Sequence, residues 1–127
     1  MISSLNILIP VEFGMYMHVV DFYQTAVRLT AHSTGMSAKG NPWHSFQASG
    51  VTLTVHTGRD GKFPYPEFRP TGHGIALAIE VQGVGNEKER LQSLGVAVLN
   101  EWDYGDGTVA ISIADPAGNV IEIWGSP

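Results

Sequence analysis

The 127 residues include no cysteine. Disulfides, thiolate metal sites and cysteine nucleophiles are therefore excluded. Charge is also scarce, at 15% of residues against the usual ~25%. Of the few charges, twelve are acidic and seven basic, for a net charge of −5. That balance argues against a general nucleic-acid binder and says nothing against small ligands. The opening MISSLNILIPVEF lacks a basic n-region and a long apolar run, so no secretory signal or membrane span is expected, and the reading is cytoplasmic. What is present is a 43% hydrophobic chain of one-domain length. Such a chain buries roughly two-thirds of its unfolded surface without covalent staples.

Periodicity divides the chain. Leu5–Val11 alternates as a strand, with Ile7, Ile9 and Val11 on one face and Asn6, Leu8 and Pro10 on the other. From Met15 to about Leu29, Val19, Phe22, Tyr23, Ala26 and Val27 recur at helical spacing. Strands are expected near Thr30–Ser37, Trp43–Ala48 and Val51–Thr57, with turns at Gly40-Asn41-Pro42 and Ser49-Gly50. Residues 58–72 hold three prolines and neither periodicity, which reads as a linker. A second strand–helix–three-strand series then occupies 73–127. It starts with Gly74–Val81. Asn86 and Glu89 suggest a capping box, Leu91 and Leu94 an apolar stripe, and Gly95 a helix stop. Strands follow at Val96–Glu101, Thr108–Ala114 and Asn119–Trp124.

A shift of 68 residues, Asn6 to Gly74, lays one half on the other. Ile7, Ile9 and Val11 fall on Ile75, Leu77 and Ile79, and Leu53 and Val55 fall on Ile121 and Ile123. This predicts one α+β domain over 1–127, built from two tandem βαβββ modules (1–57 and 73–127). Each module is a curved mixed sheet with its helix on the outer face.

In the last strand Ile121 and Ile123 face one way and Val120, Glu122 and Trp124 the other. If the isoleucines lie against a helix, Glu122 is left between two apolar neighbours. It is then either solvated on an open sheet or lining a concave site that supplies a donor or a cation. The run Asp115-Pro116-Ala117-Gly118-Asn119-Val120-Ile121-Glu122-Ile123-Trp124 resembles the closing hairpin of the vicinal oxygen chelate superfamily. This superfamily includes glyoxalase I and the bleomycin-resistance, fosfomycin-resistance and extradiol dioxygenase proteins. Asp21-Phe22-Tyr23 and Gly74-Ile75-Ala76-Leu77 are similar to its first helix and second-half strand.

The resemblance implies metal-ligand positions that match Asn6, Thr54, Gly74 and Glu122. Only Glu122 is a strong donor there, so glyoxalase I or dioxygenase chemistry is not expected from those four positions. His56, two residues beyond Thr54 on the same face, and His73, if a bulge turns it, are the alternative metal ligands with Glu122. A divalent metal is thus a lesser expectation, and no cofactor is the main one. His18, His32 and His44 read as surface or strand residues.

Glu122, as acceptor or general base, and His56, as its proton-carrying partner, are the candidate catalytic pair. Asn6, Leu8, Thr54, Val120 and Trp124 line the same face. Trp102 and Tyr104, within the acidic Glu101–Gly107 segment, suit a cationic or planar ligand. Arg59, Lys62 and Arg69 in the linker suit an anionic one. The expectation is a small-molecule-binding protein that sequesters or modifies its ligand. The alternative is a metal-dependent lyase, isomerase or dioxygenase. The resemblance further implies a homodimer, with neither nucleic acid nor membrane as partner.

Overall fold

A computed structural model describes residues 6–37, 40–57 and 77–127. The expected linker, His73 and Gly74 lie outside these. The chain forms two compact units, Met1–Phe68 and Arg69–Pro127. No helix among the described residues is long and apolar enough to cross a membrane.

The first unit is a four-stranded mixed sheet. Its strands are β1 (Asn6–Pro10), β2 (Thr30–Met36), β3 (Pro42–Ala48) and β4 (Val51–His56), in the order β1-β4-β3-β2. β1 runs parallel to β4, and the other neighbours are antiparallel. Between β1 and β2 lies the predicted helix, which is not uniform. A 3-10 turn (Phe13–Met15) leads into α1 (Tyr16–Asp21), and a π-helical turn (Phe22–Ala26) follows. In that last turn Val27 N–H donates to Phe22 O, five residues back. Val19, Tyr23 and Ala26 of the predicted stripe are buried, and Tyr16 and Val20 join them. The helix packs on β4, and the Tyr23 ring approaches Phe46 at 6.3 Å between centroids.

The second unit repeats the plan with β5 (Leu77–Val81), α2 (Val84–Ser93), β6 (Asn100–Asp103), β7 (Val109–Ala114) and β8 (Val120–Gly125). The strand order is β5-β8-β7-β6. α2 packs on β7 and β8. Val84, Leu91, Ile111, Ile113, Ile121 and Ile123 form the buried layer between helix and sheet.

Four local expectations need correction. Asn86 is not the N-cap of α2. The helix begins three residues earlier, after Gly83 in a left-handed conformation. Its first N–H groups are taken by Ser126: Gly83 N–H donates to Ser126 Oγ (2.9 Å) and Val84 N–H to Ser126 O (2.8 Å). The cap is thus supplied from beyond β8, where no local motif reveals it. Leu94 lies at the helix end and is exposed. Only four residues, Asn100–Asp103, form β6, because the chain from Val96 first closes the helix. There Val96 N–H donates to Leu91 O and Gly95 N–H to Gln92 O, a Schellman closure on the predicted Gly95.

The fourth correction concerns the repeat. Ile7 faces Leu53 and Leu77 faces Ile121. The last strands are 68 residues apart, but the first strands are 70 apart, from Ile7 to Leu77. The equivalent of Leu8, opposite Thr54, is therefore Ala78, opposite Glu122. A shift of two keeps each residue on its face, so the inside–outside assignment survives the change of register.

Two predictions follow from packing. Gly125 adopts φ +145, and a Cβ there would collide with Val81 O. Gly105 adopts φ +79 with open space around its Cβ position. Gly125→Ala should destabilise by more than about 2 kcal/mol, and Gly105→Ala by about 1 kcal/mol, in urea unfolding.

His44 stacks on Phe46 at 4.5 Å between centroids. Its Nε2 is buried with no partner among the described residues. Burial holds its pKa below the ordinary histidine value. Its neighbours across the sheet, Thr34 and Val55, carry no charge. The folded state thus favours neutral His44 more than the unfolded state does. Stability is full above the unfolded pKa of about 6.5 and falls as pH drops through the lower folded value. Urea midpoints between pH 8 and pH 5 should decline, and less steeply in His44→Phe.

Candidate functional site

In each unit, alternation leaves one sheet face away from the helix. On the first unit's open face, Thr54 is buried between two polar neighbours. Its hydroxyl donates to Asn6 Oδ1 at 3.0 Å and lies 2.7 Å from Ser45 Oγ. His56 sits two residues on, opposite Trp43 and beside Pro10. The Trp43 indole covers Gly35, where a Cβ would lie 2.5 Å from Cζ2. Leu8, opposite Thr54, is 42% exposed. Asn6, Leu8, Thr54 and His56 therefore share the face assigned to them. His44 does not, since it points to the Phe46 side.

The second unit's open face carries Glu122 at the position equivalent to Thr54. One row across the sheet reads Asn100, Ser112, Glu122 and Ala78. The next reads Trp102, Ala110, Trp124 and Glu80. Tyr104 follows beyond Trp102, its N–H bonded to Thr108 O. Its hydroxyl donates to Glu122 Oε1 at 2.6 Å. The Tyr104 and Trp102 rings meet edge to face at 6.1 Å. Val120 faces the same way, opposite Ala114. The turn before β8 is held by Asp115, which is buried. It accepts from Ala117 N–H and Asn119 N–H through Oδ1 and from the Asn119 amide through Oδ2. That clamp fixes where β8 starts, and hence which face Glu122 takes.

The Tyr104–Glu122 bond is charge-assisted and short. It raises the Tyr104 pKa above the ordinary phenol value. The Trp102 indole opposes that rise, while desolvation and the charges of Glu122 and Asp106 add to it. A carboxylate held this way can accept a hydrogen bond from a ligand on its second oxygen, receive a proton, or offset a positive charge. The helix side of the unit offers less. A groove of about 480 Å³ runs past Val84, Lys88 and Glu101, but Lys88 Nζ already donates to Glu101 Oε1 at 2.7 Å.

A profile of the glyoxalase-like domain matches residues 16–124, most of the chain. The chain belongs to the glyoxalase-like family. Its solved structural neighbours include TnmS3, an antibiotic binding protein from Streptomyces sp. CB03234. The identity is 21%, with 100% of this chain and 98% of that one covered, at a TM-score of 0.75. The fosfomycin resistance protein FosX from Listeria monocytogenes is 19% identical over 97% and 93%, at 0.70. A lactoylglutathione lyase from Agrobacterium tumefaciens is 18% identical over 97% and 92%, also at 0.70. At these identities the neighbours share the fold. Family and fold together place the chain in the vicinal oxygen chelate superfamily. A comparison with curated proteins gives no match.

Glyoxalase-like proteins often hold a divalent metal. Asn6 Oδ1 already accepts from Thr54, and the Thr54 hydroxyl is shared with Ser45. In the second unit, Ala78 and Ser112 flank Glu122 in place of strong ligands. Among the described residues no group of three His, Asp or Glu side chains converges. Among the described residues, then, the donor set does not fit a transition metal. His73, the remaining ligand candidate, lies outside the described residues.

Sequence reasoning missed Ser45, Ser112 and Trp43 as members of the open faces, and it missed the bond between Tyr104 and Glu122. Gly35 within a strand was the available signal for Trp43, since a glycine there often marks a close approach. Nothing local reveals the bond, which joins residues 18 apart, one just past the end of β6 and the other on β8. Removing the carboxylate's charge should lower the Tyr104 pKa. In ¹³C-tyrosine NMR titrations, with Tyr104→Phe used for assignment, Glu122→Gln should bring that resonance towards the ordinary phenol value of about 10.

Proposed function

We propose that the protein binds a small molecule on the open face around Glu122. In this reading it is a protein of the glyoxalase and bleomycin-resistance type, with an altered or absent metal site, that sequesters or modifies its ligand. The observation that supports this most directly is Glu122 itself. It is a mid-strand carboxylate with aromatic neighbours, satisfied on one oxygen by Tyr104. A few placed polar groups among apolar walls are the usual make-up of a ligand site. Glu122 accepts the ligand's donor group or takes up a proton. Val120, Trp124, Trp102 and Tyr104 are the further contact candidates on this face, and His56, Asn6, Leu8 and Thr54 are the candidates on the first unit's own open face. The altered metal site is supported by the neutral residues that flank Thr54 and Glu122. A cytoplasmic homodimer belongs to the same reading, supported by exposed Phe13, Met17 and Met36 and by the lack of cysteine.

Metal analysis of protein purified without chelator, paired with a fluorescence screen of small ligands, tests the proposal. Expected are substoichiometric metal and ligand-dependent tryptophan quenching that falls at least about tenfold in affinity in Glu122→Ala. Stoichiometric nickel, zinc, iron or manganese that is lost on Glu122→Ala would replace it with metal-dependent lyase, isomerase or dioxygenase chemistry.

A further inference from the structure

The second unit ends in an uncovered strand. β6 is the outer strand of its sheet, bonded to β7 alone among the described residues. Tyr104 N–H donates to Thr108 O, and antiparallel alternation carries that direction back to Trp102 and Asn100. The N–H and C=O groups of Glu101 and Asp103 therefore point outward, along an edge that a further strand can join. α2 packs on β7 and β8, so the helix side of β6 overhangs. Beneath the overhang runs the groove of about 480 Å³. Its floor is apolar, formed by Val84, Val109 and Ile111, and Gly85 on its helix wall has open space at the Cβ position.

The rim carries the charge. Glu101 and Asp103 share the helix side of β6, since Lys88 of α2 reaches Glu101 there. Both carboxylates are exposed, and among the described residues lining the groove only Lys88 opposes them. The other basic residue between 77 and 127, Arg90, pairs with Glu87, against eight acidic residues in that stretch. Asp103 Oδ1 accepts from Gly105 N–H at 2.8 Å, and a carboxylate keeps further lone pairs for a cation. An apolar floor below an acidic rim matches a lysine or arginine side chain, whose methylenes pack while its head stays at the rim. A second copy of β6 does not match. Antiparallel pairing about Trp102 would set Glu101 against Asp103, like charge against like.

We infer that β6 takes up an extended basic peptide segment of a partner protein as a fifth strand of the sheet. The peptide residues opposite Glu101 and Asp103 are lysine or arginine. They lay their stems in the groove and set their heads on the two carboxylates. The residue between them turns to the open face beside Trp102 and is apolar. The partner is thus recognised by a basic–apolar–basic run, in which strand alternation brings both charges to one side. This surface is separate from the ligand role proposed for Glu122, which lies on the other face of the sheet.

Three peptides test it. Acetyl-Thr-Lys-Val-Lys-Thr-amide is titrated into the ¹⁵N-labelled protein at neutral pH and low salt. Beside it run the same peptide with Glu for both Lys, and a third with both lysine backbone nitrogens methylated. The basic peptide should bind at least about tenfold more tightly than the acidic one and move the Glu101 and Asp103 amide resonances most. Backbone methylation removes the donors to the strand edge and keeps the charge, and should weaken binding at least about fivefold. Asp103→Asn keeps the acceptor for Gly105 and should weaken the basic peptide about three- to tenfold, as should added salt. Gly85→Leu fills the groove from a helical position and should weaken it at least about threefold. The dispersed spectrum of each variant checks its fold. Equal binding of the acidic peptide, or a methylated peptide that binds as well as its parent, overturns the inference. So does binding indifferent to both variants, or no binding at about 5 mM. Shifts of Glu101 and Asp103 that follow protein concentration without peptide would make a second copy the occupant and overturn it as well.

Discussion

Burial of Ile121 and Ile123 beneath α2 is the constraint on which the candidate site depends. Once those two side chains are committed to the helix side, the strand's period of two turns Val120, Glu122 and Trp124 to the other face. The commitment is strong because both isoleucines are almost fully buried, and each is worth roughly 1.5–3 kcal/mol in transfer from water. A slip of one residue would expose them and bury a carboxylate, so the register of β8 is enforced from the apolar side. The Asp115 clamp secures one end of the strand and the close approach of Gly125 to Val81 secures the other.

The two units solve one geometric problem with different chemistry. At equivalent places, Thr54 closes a neutral network with Ser45 and Asn6, while Glu122 carries a charge and takes a donor from Tyr104. The first arrangement satisfies its polar groups internally. The second keeps acceptor capacity in reserve, because a carboxylate has more lone pairs than one phenol can use. The repeated sheet-and-helix plan thus holds a self-satisfied polar network in one unit and a carboxylate with spare acceptor capacity in the other.

Much of this was legible in residue order. The β-α-β-β-β plan, repeated with the faces kept, follows from alternation and helical spacing, both of which act over a few residues. The helix stop at Gly95 was readable because glycine accommodates the positive φ that a Schellman closure needs. The start of α2 was not, because Ser126 supplies the cap from the far end of the unit. The π-helical turn after α1 was also hidden, since one residue added to a helical turn scarcely alters an apolar stripe. The first-strand repeat was read two residues short, an error to which a period-two pattern is blind.

By itself the sequence determined which face of β8 would hold Glu122 and which would hold the isoleucines, because that choice is made by hydrophobic burial one strand at a time. It also determined that the chain offers no thiolate, and that three of the four metal positions implied by the resemblance hold Asn6, Thr54 and Gly74, which is a matter of inventory. Only the tertiary structure decided that Tyr104 would meet Glu122, that Ala110 would separate two tryptophans, and that His44 would turn towards Phe46. Those outcomes depend on how strands distant in the chain are set in register, and register is fixed by the sum of many cross-strand contacts rather than by any local run of residues.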